Sequence, residues 1–171
     1  MDIVRFVPSG EKGAMRALAA TSLPDFSEAA DAKAAKQHCR KQGALVHAAS
    51  YEIDEGDLLE LSRRSGAVVF ALSDLLPERG FRRGIMISKM RLLLSTCRKR
   101  GAGFIFATLA GDEGQMRSAR ELSAFAALLG ATDVERKAAE KRMKQLADGG
   151  EGAAQGERKA AEKKPKGLVE K

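Results

Sequence analysis

The sequence contains no tryptophan, only two cysteines and only two histidines. Neither Cys39 nor Cys97 lies in a CxxC pair, so we expect no disulfide framework and no zinc site, and a reducing compartment is the default. We interpret His38 as a surface histidine and His47 as a strand histidine, since two histidines are too few for a multi-ligand metal centre. No metal site and no cofactor bound by the protein itself are predicted.

Long apolar runs and common catalytic motifs are also missing. The longest apolar runs, such as residues 67–72, are far shorter than the roughly 20 residues of a membrane-spanning helix. The N-terminus lacks the apolar stretch of a signal peptide. The sequence has no G-x-S-x-G, Walker, G-x-G-x-x-G or H-E-x-x-H motif. We therefore expect a cytoplasmic protein with no membrane partner, and we assign it no catalytic residue.

Acidic residues are absent from residues 79–111. The chain as a whole carries a net charge of +7, so this window accounts for more than all of the excess positive charge. The eight basic residues of this window are Arg79, Arg82, Arg83, Lys89, Arg91, Arg98, Lys99 and Arg100. Solvated helix faces usually interleave both signs of charge, so an uncompensated window indicates phosphate binding, and nucleic acid is the commonest partner of a small basic domain. A solvated face is the alternative. The candidate RNA- or phosphate-binding residues in this window are Arg79, Arg82, Arg83 and Lys89.

Apolar runs alternate with helical segments over residues 1–147, which we predict to form one domain. Strands are predicted at residues 3–7, 44–49, 67–72 and 103–108, with a fifth guessed within 22–26. Helices are predicted at residues 11–20, 28–42, 52–64 and 82–100, and from 118 onward. This order predicts parallel βα units. Residues 148–171, rich in Gly, Lys, Glu and Ala, are predicted to be a flexible tail.

The basic helix predicted at residues 82–100 has apolar positions on two sides. One arc is core, and it contains Met86, Met90, Leu93, Leu94 and Cys97. Ile85 and Leu92 lie one heptad apart on the opposite side. They are either ordinary exposed apolar residues or a contact for a partner protein.

A second cationic feature precedes the apolar residues that follow position 121. Ser118 and Glu121 have the spacing of a capping box, which begins a helix. Arg117 and Arg120 place cations beside the positive end of that helix, which is unfavourable unless an anion binds there. Arg120 could instead pair with a nearby carboxylate.

From residue 66 to residue 130 the sequence resembles ribonuclease P protein component 3, the archaeal counterpart of the thirty-kilodalton subunit of eukaryotic ribonuclease P. The resemblance rests on the strand and turn at residues 68–76, on the basic helix and on the strand at 103–108. It rests most on Arg-Ser-Ala-Arg-Glu-Leu at residues 117–122, which is similar to the family's Arg-Ser-Pro-Arg-Glu-Leu.

The resemblance implies an α/β protein of the TIM-barrel type that assists a catalytic RNA in removing the 5′ leader of precursor tRNA. The first 66 residues hold too few βα units for the whole barrel, so an abbreviated or open barrel is expected. The family places basic residues near RNA at the positions of Arg82 or Arg83, Arg117 and Arg120. Its usual protein partner is component 2, and Mg²⁺ is expected on the RNA. The assembly would be a tRNA-maturation endonuclease, whereas the chain alone is not expected to be catalytic.

Two other functions compete with this interpretation. One is a small barrel enzyme acting on a phosphorylated metabolite, with Arg117, Arg120 and the helix N-terminus binding one phosphate. The other is a non-specific RNA chaperone that binds through residues 148–171.

Overall fold

The computed structural model of the chain describes residues 2–4, 17–19, 23 and 25–146, with residues 17–19 described by their backbone. The protein is α/β. Its strands are β1 (Asp2–Val4), β2 (Ala17–Ala19), β3 (Phe26–Ala29), β4 (Leu45–Ala48), β5 (Ala67–Ala71) and β6 (Gly103–Ala107). Its helices are α1 (Ala32–Cys39), α2 (Glu55–Arg63), α3 (Gly80–Arg100), α4 (Ala119–Leu128) and α5 (133–146). Within the described ranges, none of the helices has the length and apolar character needed to cross a bilayer.

Four strands form a parallel sheet whose order, β3-β4-β5-β6, follows the chain. Helices α1, α2 and α3 connect its successive strands, which confirms the predicted parallel βα units. Strands β1 and β2 pair in parallel in a second sheet. The end of β6 contacts β1, because the Leu109 amide donates to the Ile3 carbonyl at 2.9 Å and the Thr108 amide donates to Asp2 Oδ1 at 2.7 Å.

The central sheet is buried on both faces. All five residues of β5 are buried, and they alternate between two clusters of apolar side chains. Val68 and Phe70 pack with residues of α2, α3 and α4. Val69 packs on the other face, in a cluster that includes Ile3 and Met143. This explains why β5 reads as a continuous apolar run, as is usual for a parallel strand covered on both sides.

Helix α5 covers the amino edge of this sheet and was not predicted from the sequence. Arg142 Nη2 donates to the Gly66 carbonyl at 3.1 Å and also contacts the Ser65 carbonyl. Met143, one residue later, is buried in the core. The helix therefore supplies both a polar and an apolar contact to the start of β5.

Three predicted strands, at 44–49, 67–72 and 103–108, are confirmed as β4, β5 and β6. The helix predicted at 11–20 is wrong at Ala17–Ala19, which form β2. The helix predicted at 28–42 begins too early, because Phe26–Ala29 form β3 and α1 begins only after its N-cap Asp31. The alanines suggested helix, but pairing of Ala29 with Ala48 in the sheet overrides that weak preference. The predicted tail, 148–171, lies outside the described residues.

Gly66 connects α2 to β5 where no side chain fits, which gives a first prediction. A Cβ atom there would lie 2.3 Å from Leu61 Cδ1 and 2.8 Å from the Ala44 carbonyl oxygen, whereas at Gly56 nothing lies within 4 Å. Gly66→Ala should lower the free energy of unfolding by about 1 to 3 kcal/mol. Gly56→Ala, the same chemical change, should leave it unchanged or raise it by up to about 0.5 kcal/mol. Urea denaturation of both variants measures this, and equal effects would contradict the packing described for Gly66.

Candidate nucleic-acid interface

The pairing of β5 with β6 determines which cations can act together. The two strands run parallel and in register from Ala67–Gly103 to Ala71–Ala107, so the segments that follow them leave from the same carboxyl edge of the sheet. Helices α3 and α4 are those next helices, and both begin at this edge. The 21 residues of α3 span about 31 Å, so its last turn lies at the opposite, amino edge. The basic window is therefore divided between two ends of the sheet.

The first turn of α3 carries a concentration of exposed cations. Arg79, Arg82 and Arg83 are all exposed, and the turn contains no acidic residue. No side chain caps the helix at Arg79, which leaves its first backbone N–H groups to solvent or a ligand. Arg83 Nε donates to the Glu78 carbonyl at 2.7 Å, but none of the three pairs with a carboxylate of the described chain. An uncapped N-terminus surrounded by arginines suits an anion.

Other cations of the window are neutralised by acids from outside it. The ion pairs are Lys89–Glu52, Arg98–Glu135 and Arg100–Glu55. Arg91 donates through Nη2 to the Leu128 carbonyl at 2.7 Å. The expectation of an uncompensated window therefore fails for Lys89, Arg98 and Arg100, because folding brings in the acids that the local sequence lacks. Lys89, predicted to bind RNA, is joined at 2.8 Å to Glu52.

The Arg98–Glu135 pair joins α3 to α5. Arg98 Nε lies 2.6 Å from Glu135 Oε1, and Nη2 donates to the Gly130 carbonyl at 2.7 Å. Glu135 also accepts the Thr132 amide at 2.7 Å, which caps the start of α5. The hydrogen bond from Arg98 and those from Thr132 lower the pKa of Glu135 to about 2. This half of the basic helix therefore serves packing between helices.

The predicted capping box at the start of α4 is confirmed. The Glu121 amide donates to Ser118 Oγ at 3.3 Å, and the Ser118 amide donates to Glu121 Oε2 at 2.8 Å. Hydrogen bonds from the backbone and hydroxyl of Ser118, and the nearby Arg117, lower the pKa of Glu121. An ionised carboxylate thus already occupies this helix N-terminus. It competes with the phosphate expected there from the sequence.

Arg117 and Arg120, predicted to act as a pair, have different surroundings. Arg117 is half-buried, and its Nη1 donates to the carbonyls of Gly114 at 3.0 Å and Met116 at 2.9 Å. Arg120 is exposed and makes no hydrogen bond or ion pair with any described residue. Arg117 therefore stabilises the loop before α4, while Arg120 is available at the carboxyl edge.

A polar cluster at the same edge was not predicted. His47, in β4, is 2% exposed, and its Nε2 lies 2.8 Å from Asp74 Oδ2, in the turn after β5. Tyr51 OH donates to the same oxygen at 2.8 Å and accepts the Ala71 amide at 3.0 Å. Glu28 Oε1 lies 3.9 Å from His47 Nδ1. His47 does lie in a strand, as predicted, but it connects the ends of neighbouring strands.

Tyr51 adopts a strained backbone conformation in this cluster, with φ at 55°. Its two hydrogen bonds and its ring, stacked on Phe70 with centroids 5.9 Å apart, hold it there. The positions of His47 and Asp74 in the sequence could have indicated this cluster. Each comes near the end of a predicted strand, and the carboxyl ends of neighbouring strands share one edge of a parallel sheet. In the part of the chain that the structure describes, no group of three or more His, Cys, Asp or Glu residues is arranged to hold a metal ion.

No protein-family model matches this chain, and no curated protein is significantly similar to it.

The contrast between Arg117 and Arg120 gives a second prediction. Arg117→Ala removes two hydrogen bonds to loop carbonyls and should lower the free energy of unfolding by about 1 kcal/mol. Arg120→Ala, three residues away, should change it by less than about 0.5 kcal/mol. Urea denaturation in matched buffers compares the two variants. Equal losses would show that Arg120 also has a structural partner.

Glu135 gives a third prediction, on pH. Its pKa is lowered in the folded protein from 4.5 to about 2, so its stabilising contribution is complete above the unfolded value and is lost as pH falls through that range. Glu135→Gln should lower the free energy of unfolding by on the order of 1 to 2 kcal/mol at neutral pH, a figure reduced from the full effect of the pKa shift because the side chain is partly exposed to solvent. The loss should become progressively smaller toward pH ~3. Urea denaturation across this range measures the difference. Glu140→Gln, at an exposed position of the same helix, makes the same chemical change and serves as the control.

Proposed function

We propose that this chain is an RNA-binding subunit of ribonuclease P that assists a catalytic RNA in removing the 5′ leader of precursor tRNA. The observation that carries the proposal is the first turn of α3, which is uncapped and presents three exposed arginines, Arg79, Arg82 and Arg83. Arg120, on the neighbouring helix, lies at the same edge of the sheet. The resemblance over residues 66–130 supplies the identity of the RNA.

These cations suit backbone recognition rather than base recognition. Arginines and helix N-termini bind phosphate oxygens, which position a protein on RNA without reading its sequence. Such a subunit supplies counter-charge to a folded RNA, whose own bound Mg²⁺ ions would support the hydrolysis. We assign the chain no catalytic residue in this proposal, and we place it in the cytoplasm with the tRNA precursors.

We further propose that the sheets form an abbreviated (β/α) barrel, the architecture that the resemblance implies. In such a barrel the last strand lies beside the first. The contacts of Thr108 and Leu109 with Asp2 and Ile3 support this, because they bring the end of β6 to β1. Component 2 would contact the exposed side of α3, where Ile85 and Leu92 lie.

The alternative is an enzyme acting on a phosphorylated metabolite. It is favoured by the cluster of His47, Asp74 and Tyr51, which lies at the same edge as the arginines. Ligand sites of parallel α/β proteins usually form outside the carboxyl ends of the strands. A phosphate bound by Arg82 would then bring an ester toward candidate acid and base groups.

RNA binding as a function of salt gives the fourth prediction. The full chain should bind ribonuclease P RNA with a steep negative slope of log affinity against log salt. Arg82→Gln with Arg120→Gln should reduce that slope by about 0.7 to 0.9 for each phosphate that the variant no longer neutralises. Filter binding from low to physiological salt measures it. The same variant should lower assisted cleavage of precursor tRNA.

A matched control removes two cations from the amino edge instead. Arg63→Gln with Lys99→Gln makes the same change in net charge at exposed positions. It should leave the slope unchanged. Equal effects of the two variants would mean that binding depends on net charge rather than on the carboxyl edge. A shallow slope for the wild type, with tight binding of a small phosphate ester, would favour the enzyme instead.

A further inference from the structure

Helix α3 has a second apolar face that nothing in the described chain covers. Met90, Leu94 and Cys97 are buried against the sheet. Nearly opposite them lie Phe81, which is 83% exposed, and Leu92, which is 71% exposed. A surface helix of a globular domain normally has one apolar stripe, so a second one at helical spacing is typical of an interaction surface.

The exposed face is shaped as a shallow groove. Between its large side chains lie Gly84 and Ser88, which are too short to fill the space. The groove of about 470 Å³ is lined by Phe81, Gly84, Ile85, Ser88, Lys89 and Leu92. Phe81 and Leu92 are three turns apart, about 16 Å along the helix. This length matches three turns of a second helix packed along the groove.

The charges around the groove discriminate between its possible occupants. Arg82 and Lys89 border one side, Arg91 borders the other, and Lys99 lies at the far end. Arg82 pairs with no carboxylate in the described ranges. In a two-fold pairing of two copies of α3, Phe81 of one copy would face Leu92 of the other. In such an antiparallel pair each flank meets the same flank of the other copy, so Arg82 of one copy would lie beside Lys89 of the other. Helix α3 has no acidic residue to offset the repulsion between these cations, which disfavours a second copy.

We propose that the groove on α3 binds an amphipathic helix of a partner protein, with apolar residues packed between Phe81 and Leu92 and with Asp and Glu residues along both flanks. The apolar contacts provide affinity, and the acidic flanks provide selectivity for a cationic border. This deepens the partner contact of the proposed function. It rests on that function in assigning this side of α3 to a protein rather than to RNA.

The test uses two synthetic peptides with the same apolar face and opposite charges. Each is about 18 residues long, with Leu at positions i, i+4, i+7 and i+11, and with either Glu or Lys on both flanks. Both are titrated into the ¹⁵N-labelled full chain and followed by amide chemical shifts. The acidic peptide should bind about tenfold or more tightly than the basic one, and its shifts should be confined to the exposed face of α3.

Matched variants test the groove itself. Phe81→Ser with Leu92→Ser should weaken the acidic peptide about tenfold or more, while thermal unfolding stays unchanged because both side chains are exposed. Val134→Ser, which replaces an apolar side chain that is 78% exposed on α5, should change nothing. Failure of the acidic peptide to bind, or equal affinity for the two peptides, would overturn the proposal. So would a wild-type dimer, seen by sedimentation, that the double substitution dissociates.

RNA binding by the same variants separates this proposal from the proposed function. Phe81→Ser with Leu92→Ser should bind ribonuclease P RNA as the wild type does. Loss of RNA binding in this variant would assign the groove to RNA and overturn the partner proposal. Failure of the wild type to bind RNA would instead end the ribonuclease P proposal and leave the peptide result unaffected.

Discussion

The in-register, parallel pairing of β5 with β6 is the constraint on which the candidate site depends. Both faces of these strands are covered by apolar side chains, so a slip of one residue would exchange the side chains of the two faces and disrupt the packing of both clusters. The alignment continues beyond the strands, since the Ser73 amide donates to the Thr108 carbonyl at 2.9 Å. The segments after the two strands are consequently brought to one edge. Asp74 and α3 follow β5, and α4 follows β6, so backbone pairing directs segments that are far apart in sequence toward one edge of the sheet.

Helix α3 performs different tasks at its two ends. Its last turns are joined to α2 and α5 by Arg100 and Arg98, which pair with Glu55 and Glu135. Its first turn has neither an acidic side chain nor a capping one. The positive end of the helix dipole and the unpaired arginines therefore reinforce each other at the carboxyl edge. The outer side of the helix leaves an apolar groove, so the first turn, the last turns and the outer side of α3 differ in chemical character.

Features that depend on local sequence were predictable, and those that depend on distant contacts were not. The apolar runs of β4, β5 and β6 and the spacing of Ser118 and Glu121 are local, and these predictions are confirmed. The end of β3 at residues 28–29 was predicted as helix, because pairing with β4 overrides the helix preference of an alanine-rich segment. The partner of Arg98 is 37 residues away, and that of His47 is 27 residues away. No periodicity in a single sequence indicates such pairs.

The polar cluster bears on which of the two functions is favoured. Asp74 Oδ2 accepts a hydrogen bond from the Tyr51 hydroxyl and is also hydrogen-bonded to His47 Nε2. The Tyr51 hydroxyl in turn accepts a hydrogen bond from the Ala71 amide. These groups satisfy one another, and His47 is almost completely buried. A general base must reach a proton on its substrate. The exposed groups at the edge are instead arginines, which bind phosphates but transfer no proton near neutral pH. The carboxyl edge is therefore better suited to holding a polyanion than to acting on a small ester. The polar cluster is suited to a structural task, which is to fix the ends of the neighbouring strands.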